Sequence, residues 1–212
     1  MESTIATIVI LVFTLSIFST VGGNKNAIPS SGSSVSLSSS KESSTTLCTQ
    51  VDLDSPGEDF SSCDPEERYK VRNFVINYGN NISEADADEI SYNLFKYCKY
   101  YNLNPKVIAA LIARESKFNK FAVSSTGAQG LGQLIPSTAQ GLGVIDPFNI
   151  EQNIMGTTRY IRSLLDRFSG SDRLSYALAS YLEGPNAVKN KGGFWTASKR
   201  YIEDIYTLCR KI

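Results

Sequence analysis

Glu115 is the residue of this sequence whose type and place most suggest chemistry. It lies four residues after Leu111 and seven after Ile108, so it continues the apolar stripe of a helix toward that helix's C-terminal end. Apolar surroundings disfavour an ionised carboxylate, and the negative pole of the helix dipole disfavours it further, so both effects push its pKa upward. A carboxyl that holds its proton toward neutral pH can serve as a general acid. Taken alone, an acidic residue beside Arg114 reads as readily as a surface ion. The chain has no His and no CxxC spacing, so no metal ligation is expected, and no cofactor is implied. The Gly127, Gly130 and Gly132 cluster reads as a tight turn or a close backbone approach. It lacks the Lys and the preceding strand of a phosphate loop.

The elements that must position Glu115 are helical. From Pro65 onward the pattern has a 3.6-residue period with no convincing alternation, which predicts an all-α domain of about six helices. Ser83 followed by Asp86 resembles a capping box, and Ile90, Leu94, Tyr97, Cys98 and Tyr101 then share one face. Asn104 can cap a helix that begins at Pro105 and carries Val107, Ile108, Leu111 and Ile112 inward. Pro136 to Ala139 reads as a short helix start. Ile154, Thr158, Ile161, Leu165 and Phe168 form a further stripe, Leu174, Ala177, Leu178 and Tyr181 another, and Ile202, Ile205 and Cys209 a last one.

Upstream, an apolar run from Ile5 to Val21 is interrupted only by small hydroxyl residues. Its length lies between a signal-peptide core and a spanning helix, and no positive residue precedes it, so residues 1–23 are expected to be a signal peptide or an N-terminal membrane anchor. Residues 24–63 are rich in Ser, Thr and Gly, too poor in large apolar side chains to offset ordering entropy, and are expected to be a low-complexity, disordered linker. Residues 64–212 are left as the folded domain. Lys plus Arg and Asp plus Glu number 21 each, so no strong field favours nucleic acid or an anionic surface. In an exported chain Cys48, Cys63, Cys98 and Cys209 could form two disulfides. The preferred pairing is 48 with 63 and 98 with 209, with buried free thiols at Cys98 and Cys209 as an equal alternative.

The text around Glu115 adds to this. Glu115-Ser116 is followed by Gly127-Ala128-Gln129-Gly130-Leu131-Gly132-Gln133-Leu134-Ile135-Pro136-Ser137-Thr138-Ala139 and then by Asp146-Pro147-Phe148-Asn149-Ile150-Glu151-Gln152-Asn153-Ile154. Tyr160-Ile161, then Ala179-Ser180-Tyr181-Leu182-Glu183-Gly184-Pro185, and finally Tyr201 complete the series. In order and spacing these blocks resemble the soluble lytic transglycosylase family, the SLT domain, over roughly Ile90 to Leu208. The resemblance implies a lysozyme-like α fold that acts on peptidoglycan glycan strands. It implies Glu115 as catalytic acid and then base at the bond between N-acetylmuramic acid and N-acetylglucosamine, with 1,6-anhydro products. By position, Ser124, Gln133, Tyr160, Tyr181 and Tyr201 are the substrate-binding candidates. For the three tyrosines, helix-core packing is the competing role. A monomer in the periplasm or cell envelope is expected, tethered through the N-terminal segment if that is retained. A goose-type lysozyme-like muramidase and a non-catalytic peptidoglycan-binding module are the competing functions.

Three places depart from the family pattern. Gly132 stands where Met is usual, which removes a side chain that walls the cleft. Leu182 and Glu183 replace Asn and Ala after Tyr181, and Asn186 replaces a common Gly. A Glu183 aimed into the cleft would orient water and make hydrolysis possible; a solvated helix end is the plainer role.

Overall fold

The computed structural model describes residues 64–191 and 196–212; residues 1–63, including Cys48, Cys63, the apolar run and the Ser-rich stretch, lie outside them. The expected all-α class holds. Eight helices are present among the described residues: α1 Pro65–Tyr78, α2 Glu84–Tyr100, α3 Pro105–Ser116, α4 Pro136–Gly141, α5 Ile150–Leu165, α6 Arg173–Glu183, α7 Pro185–Lys191 and α8 Thr196–Cys209. The short α7 was not anticipated, because its seven residues hold too few turns for a periodic stripe.

The helix starts follow their capping chemistry. The Ser83 hydroxyl accepts from the Asp86 N–H at 3.1 Å, and the Asn104 side chain accepts from the Lys106 N–H at 2.9 Å ahead of Pro105. Asn149 caps α5 in the same way through Gln152.

Helix α3 is the centre of the domain. Every residue from Val107 to Ala113 is buried, so it is apolar on all sides, and α1, α2 and α8 pack around it. α5 packs on α2, and α6 on both α5 and α8. A helix surrounded this way can carry a functional group only at an end, and Glu115 stands one residue before the last of α3. A smaller apolar cluster of Leu134, Ala139, Leu142 and Val144 lies under the α4 region; Tyr160 and Tyr181 pack against both clusters and so line the seam between them.

The preferred Cys98–Cys209 pairing is incorrect. No disulfide joins the two, which are buried on α2 and α8. Each of these helices packs on α3, so both cysteines face the core as small apolar side chains, and burial pushes the Cys98 thiol far up in pKa.

Candidate active site

After Glu115 and Ser116 the chain leaves α3 through two consecutive left-handed residues, Lys117 (φ 51°) and Phe118 (φ 61°). Neither is glycine, so the reversal costs about 1 kcal/mol or more for each. Phe118 is fully buried and stacks edge-on against Phe74 of α1, which anchors the turn. The helix is thereby stopped one residue after Glu115, and the chain reverses into the following loop.

Glu115 is half-buried. The Tyr201 hydroxyl of α8 donates to its Oε1. Burial holds the carboxyl above its ordinary pKa, while the Tyr201 hydrogen bond and the charge of Arg114 pull the other way. The expected upward shift is therefore present and burial causes it, although two neighbours oppose it. Glu115 is not a surface ion paired with Arg114: the Arg114 guanidinium turns to Asp204, Nε to Oδ2 at 3.1 Å, and lies 5.5 Å from the centroid of the Tyr201 ring.

The segment from Ala122 to Leu134 is a loop closed by single bridges, Val123 to Gln129 and Gln129 to Leu134. Ser124 sits in its first turn. Its Oγ accepts from the Ala128 N–H at 2.9 Å and lies 2.8 Å from the Thr126 hydroxyl. Gln133 adopts a left-handed backbone (φ 51°), and its amide nitrogen donates to Ala122 O and Gly130 O, at 3.1 and 2.9 Å. Both amide hydrogens of Gln133 are thus spent on the loop, leaving its carbonyl oxygen as the group that can meet a ligand.

Asn153 of α5, fully buried, ties this loop down. Its Oδ1 accepts from the Gly132 N–H at 2.7 Å, and its Nδ2 donates to Pro147 O at 2.7 Å and Gln129 O at 3.2 Å. The loop comes so close that a β-carbon on Gly130 would fall 2.0 Å from Pro147 O, and one on Gly132 would fall 2.0 Å from Thr157 Oγ1. The close backbone approach expected of the glycine cluster is observed at both positions. At Gly132 the wall of the site is not left open, because Thr157 fills the space beside it.

The tyrosines divide the work. Tyr181 of α6 donates to Gly132 O at 2.6 Å and so holds the loop, with its ring 5.3 Å from that of Tyr160 of α5. The charge of Glu115 reaches Tyr181 and Tyr201, and burial and that charge raise both phenols well above their ordinary pKa. Glu115, Tyr181 and Tyr201 are therefore brought together, with the Tyr160 ring tilted against that of Tyr181. Ser124 and Gln133 lie in the loop that Tyr181 and Asn153 fasten beside them. Glu183 ends α6 with both carboxylate oxygens shielded from solvent and without a hydrogen-bond partner among the described residues. It is neither solvated nor among the groups that act on Glu115. Sequence reading gave no role to Asn153, Thr157, Arg114 or Asp204. Polar residues on the otherwise apolar face of α5 were the available signal for the first two.

Residues 93–201, just over half of the chain, match the family model described as Transglycosylase SLT domain. The chain belongs to this family. Among curated proteins, this SLT chain is 44% identical over 89 residues to a membrane-bound lytic murein transglycosylase F of Desulfosudis oleivorans, an alignment covering 40% of this chain and 20% of the relative. It is 40% identical over 86 residues to a transglycosylase of Enterobacteria phage PRD1, covering 41% and 31%. It is 32% identical over 159 residues to a membrane-bound lytic murein transglycosylase F of Salmonella choleraesuis, covering 68% and 28%. The SLT chain thus spans between a fifth and a third of the length of these relatives. Its described residues contain no cluster able to hold a metal ion and no helix long and apolar enough to cross a membrane.

Proposed function

We propose that this SLT domain is a peptidoglycan lytic transglycosylase with Glu115 as its acid and base. The observation that carries the reading is the state of Glu115. It is a half-buried carboxyl at the end of the central helix, raised in pKa by burial and bonded by Tyr201, with no second carboxylate among the described residues acting on it. Glu115 donates its proton to the oxygen linking N-acetylmuramic acid to N-acetylglucosamine as the C1–O bond breaks. The carboxylate then takes the proton of the muramic acid C6 hydroxyl while that oxygen bonds to C1, which closes a 1,6-anhydro ring. One carboxyl serves both steps, whereas hydrolysis by the two-carboxylate routes needs a partner to activate water or act as nucleophile.

Ser124 and Gln133 are proposed to meet acetamido and hydroxyl groups of the glycan, Gln133 through its amide oxygen. Tyr160 and Tyr181 are proposed to form the aromatic flank and Tyr201 to hold the acid. The names of the relatives support action on peptidoglycan in the cell envelope. The apolar run at residues 5–21 supports export or tethering, ahead of a linker over 24–63 and the catalytic domain over 64–212, which acts as a monomer.

Mass spectrometry of fragments released from purified peptidoglycan tests the reading, with Glu115→Gln as control. Anhydro-muramic ends that disappear in the variant are expected. Reducing ends would make the protein a muramidase, and release by neither chain would make it a binding module.

A further inference from the structure

Two contacts cross between α3 and α8 at adjacent levels. The Tyr201 hydroxyl donates to Glu115, and Arg114, the residue before Glu115, reaches Asp204, three residues after Tyr201. The same guanidinium lies over the Tyr201 ring at 5.5 Å. Asp204, Arg114, Tyr201 and Glu115 thus form a closed circuit, two members on each helix. Tyr201 is only 3% exposed and has its ring held between core and guanidinium, whereas the Arg114 and Asp204 side chains are 44% and 42% exposed. An ion pair that open to water adds little to stability. What it can do is fix where the guanidinium sits, and with it the ring beneath.

We propose that Arg114 and Asp204 are positioning residues that clamp Tyr201 so that its hydroxyl stays on Glu115, while Asp204 also turns the Arg114 charge away from the acid. This rests on Glu115 being the catalytic acid. Among the described residues, the groups acting on Glu115 are Tyr201 from α8, Arg114 from its own helix and, through mutual charge, Tyr181 from α6. The two halves of the clamp therefore have opposite electrostatic effects. Losing Arg114 removes a positive charge that favours the carboxylate. Losing the Asp204 charge leaves that positive charge uncompensated.

The test compares Arg114→Met, Arg114→Lys and Asp204→Asn in the 212-residue chain, by initial rates on purified uncross-linked glycan strands and by 13C NMR titration of the Glu115 carboxyl. Arg114→Met and Asp204→Asn are each expected to lower kcat about threefold to tenfold with KM little changed, the scale of a lost cation–π and hydrogen-bond contact. The Glu115 titration, and the alkaline limb of the rate profile with it, is expected to move up by a few tenths of a unit in Arg114→Met, where the lost charge and the loosened Tyr201 hydrogen bond act together, and to move less in Asp204→Asn, where the uncompensated Arg114 charge opposes the loosened bond, with the difference shrinking in added salt. Arg114→Lys restores the charge but not the planar fork, so the titration returns only part of the way while kcat does not recover. A lowered melting temperature with kcat unchanged, or a Glu115 titration that stays put in Arg114→Met or moves up as far in Asp204→Asn as in Arg114→Met, would reduce the pair to a structural tie and overturn the clamp. An inactive parent chain would instead overturn the catalytic reading, and the NMR titration would still decide the clamp.

Discussion

At the scale of single residues, the site sets stability against function. Burial raises the Glu115 pKa above its value in an unfolded chain. The folded state therefore holds the proton more tightly, and stability falls as pH rises from the ordinary carboxylate pKa through the folded value. Glu115→Gln is accordingly expected to melt about 2 to 4 °C above the parent near neutral pH, a shift that corresponds to roughly 1 kcal/mol in a domain of this size. The difference should vanish in acid, where both side chains are neutral. Scanning calorimetry at several pH values checks it, and an equal shift at every pH would contradict it. The same substitution should reduce the release of anhydro products by about 100-fold or more, the scale of a lost general acid. Tyr201→Phe removes a hydrogen bond that favours the carboxylate, so the alkaline limb of activity should move to higher pH while kcat falls about tenfold. A pH–rate profile measures both.

Among the elements, the loop from Ala122 to Leu134 depends on what α5 and α6 present to it. Asn153, Thr157 and Tyr181 grip the Gly132 peptide from both helices. The backbone at Gly132 is not left-handed, so the obstacle to a side chain there is Thr157 and not torsional strain. Gly132→Ala is expected to cost about 1 to 3 kcal/mol as overpacking, and Thr157→Ala placed beside it should recover at least half of that loss. Chemical denaturation of the two single variants and the double variant reads the coupling. Strict additivity would show that the two positions do not share the space. The departure at Gly132 is thus paired with a residue 25 positions away, which reading along the chain could not connect.

Across the whole molecule, the packing of α2 and α8 on α3 turns Cys98 and Cys209 into core residues. Iodoacetamide should leave both unmodified in the native protein and label both once guanidinium unfolds it, as peptide mapping by mass spectrometry would reveal. A Cys98–Cys209 crosslink found in the same map would contradict the packing.

Periodicity, caps and spacing determined much of this protein in advance. The all-α class, the starts of α2, α3 and α4, the position of Glu115 at the end of a buried helix and the SLT resemblance all come from short-range patterns, in which neighbours along the chain carry the information. Composition could not decide whether Cys98 and Cys209 pair, which tyrosine holds the acid, what Glu183 faces or how Arg114 is paired. Each of these depends on which helix faces which. Tyr181 and Tyr201 look alike as aromatics on apolar stripes, and only the crossing of α3 with α8 puts the second of them on Glu115 while the first goes to Gly132. Contacts between residues tens of positions apart are created by helix packing, so a one-dimensional pattern can nominate the participants but cannot assign their partners.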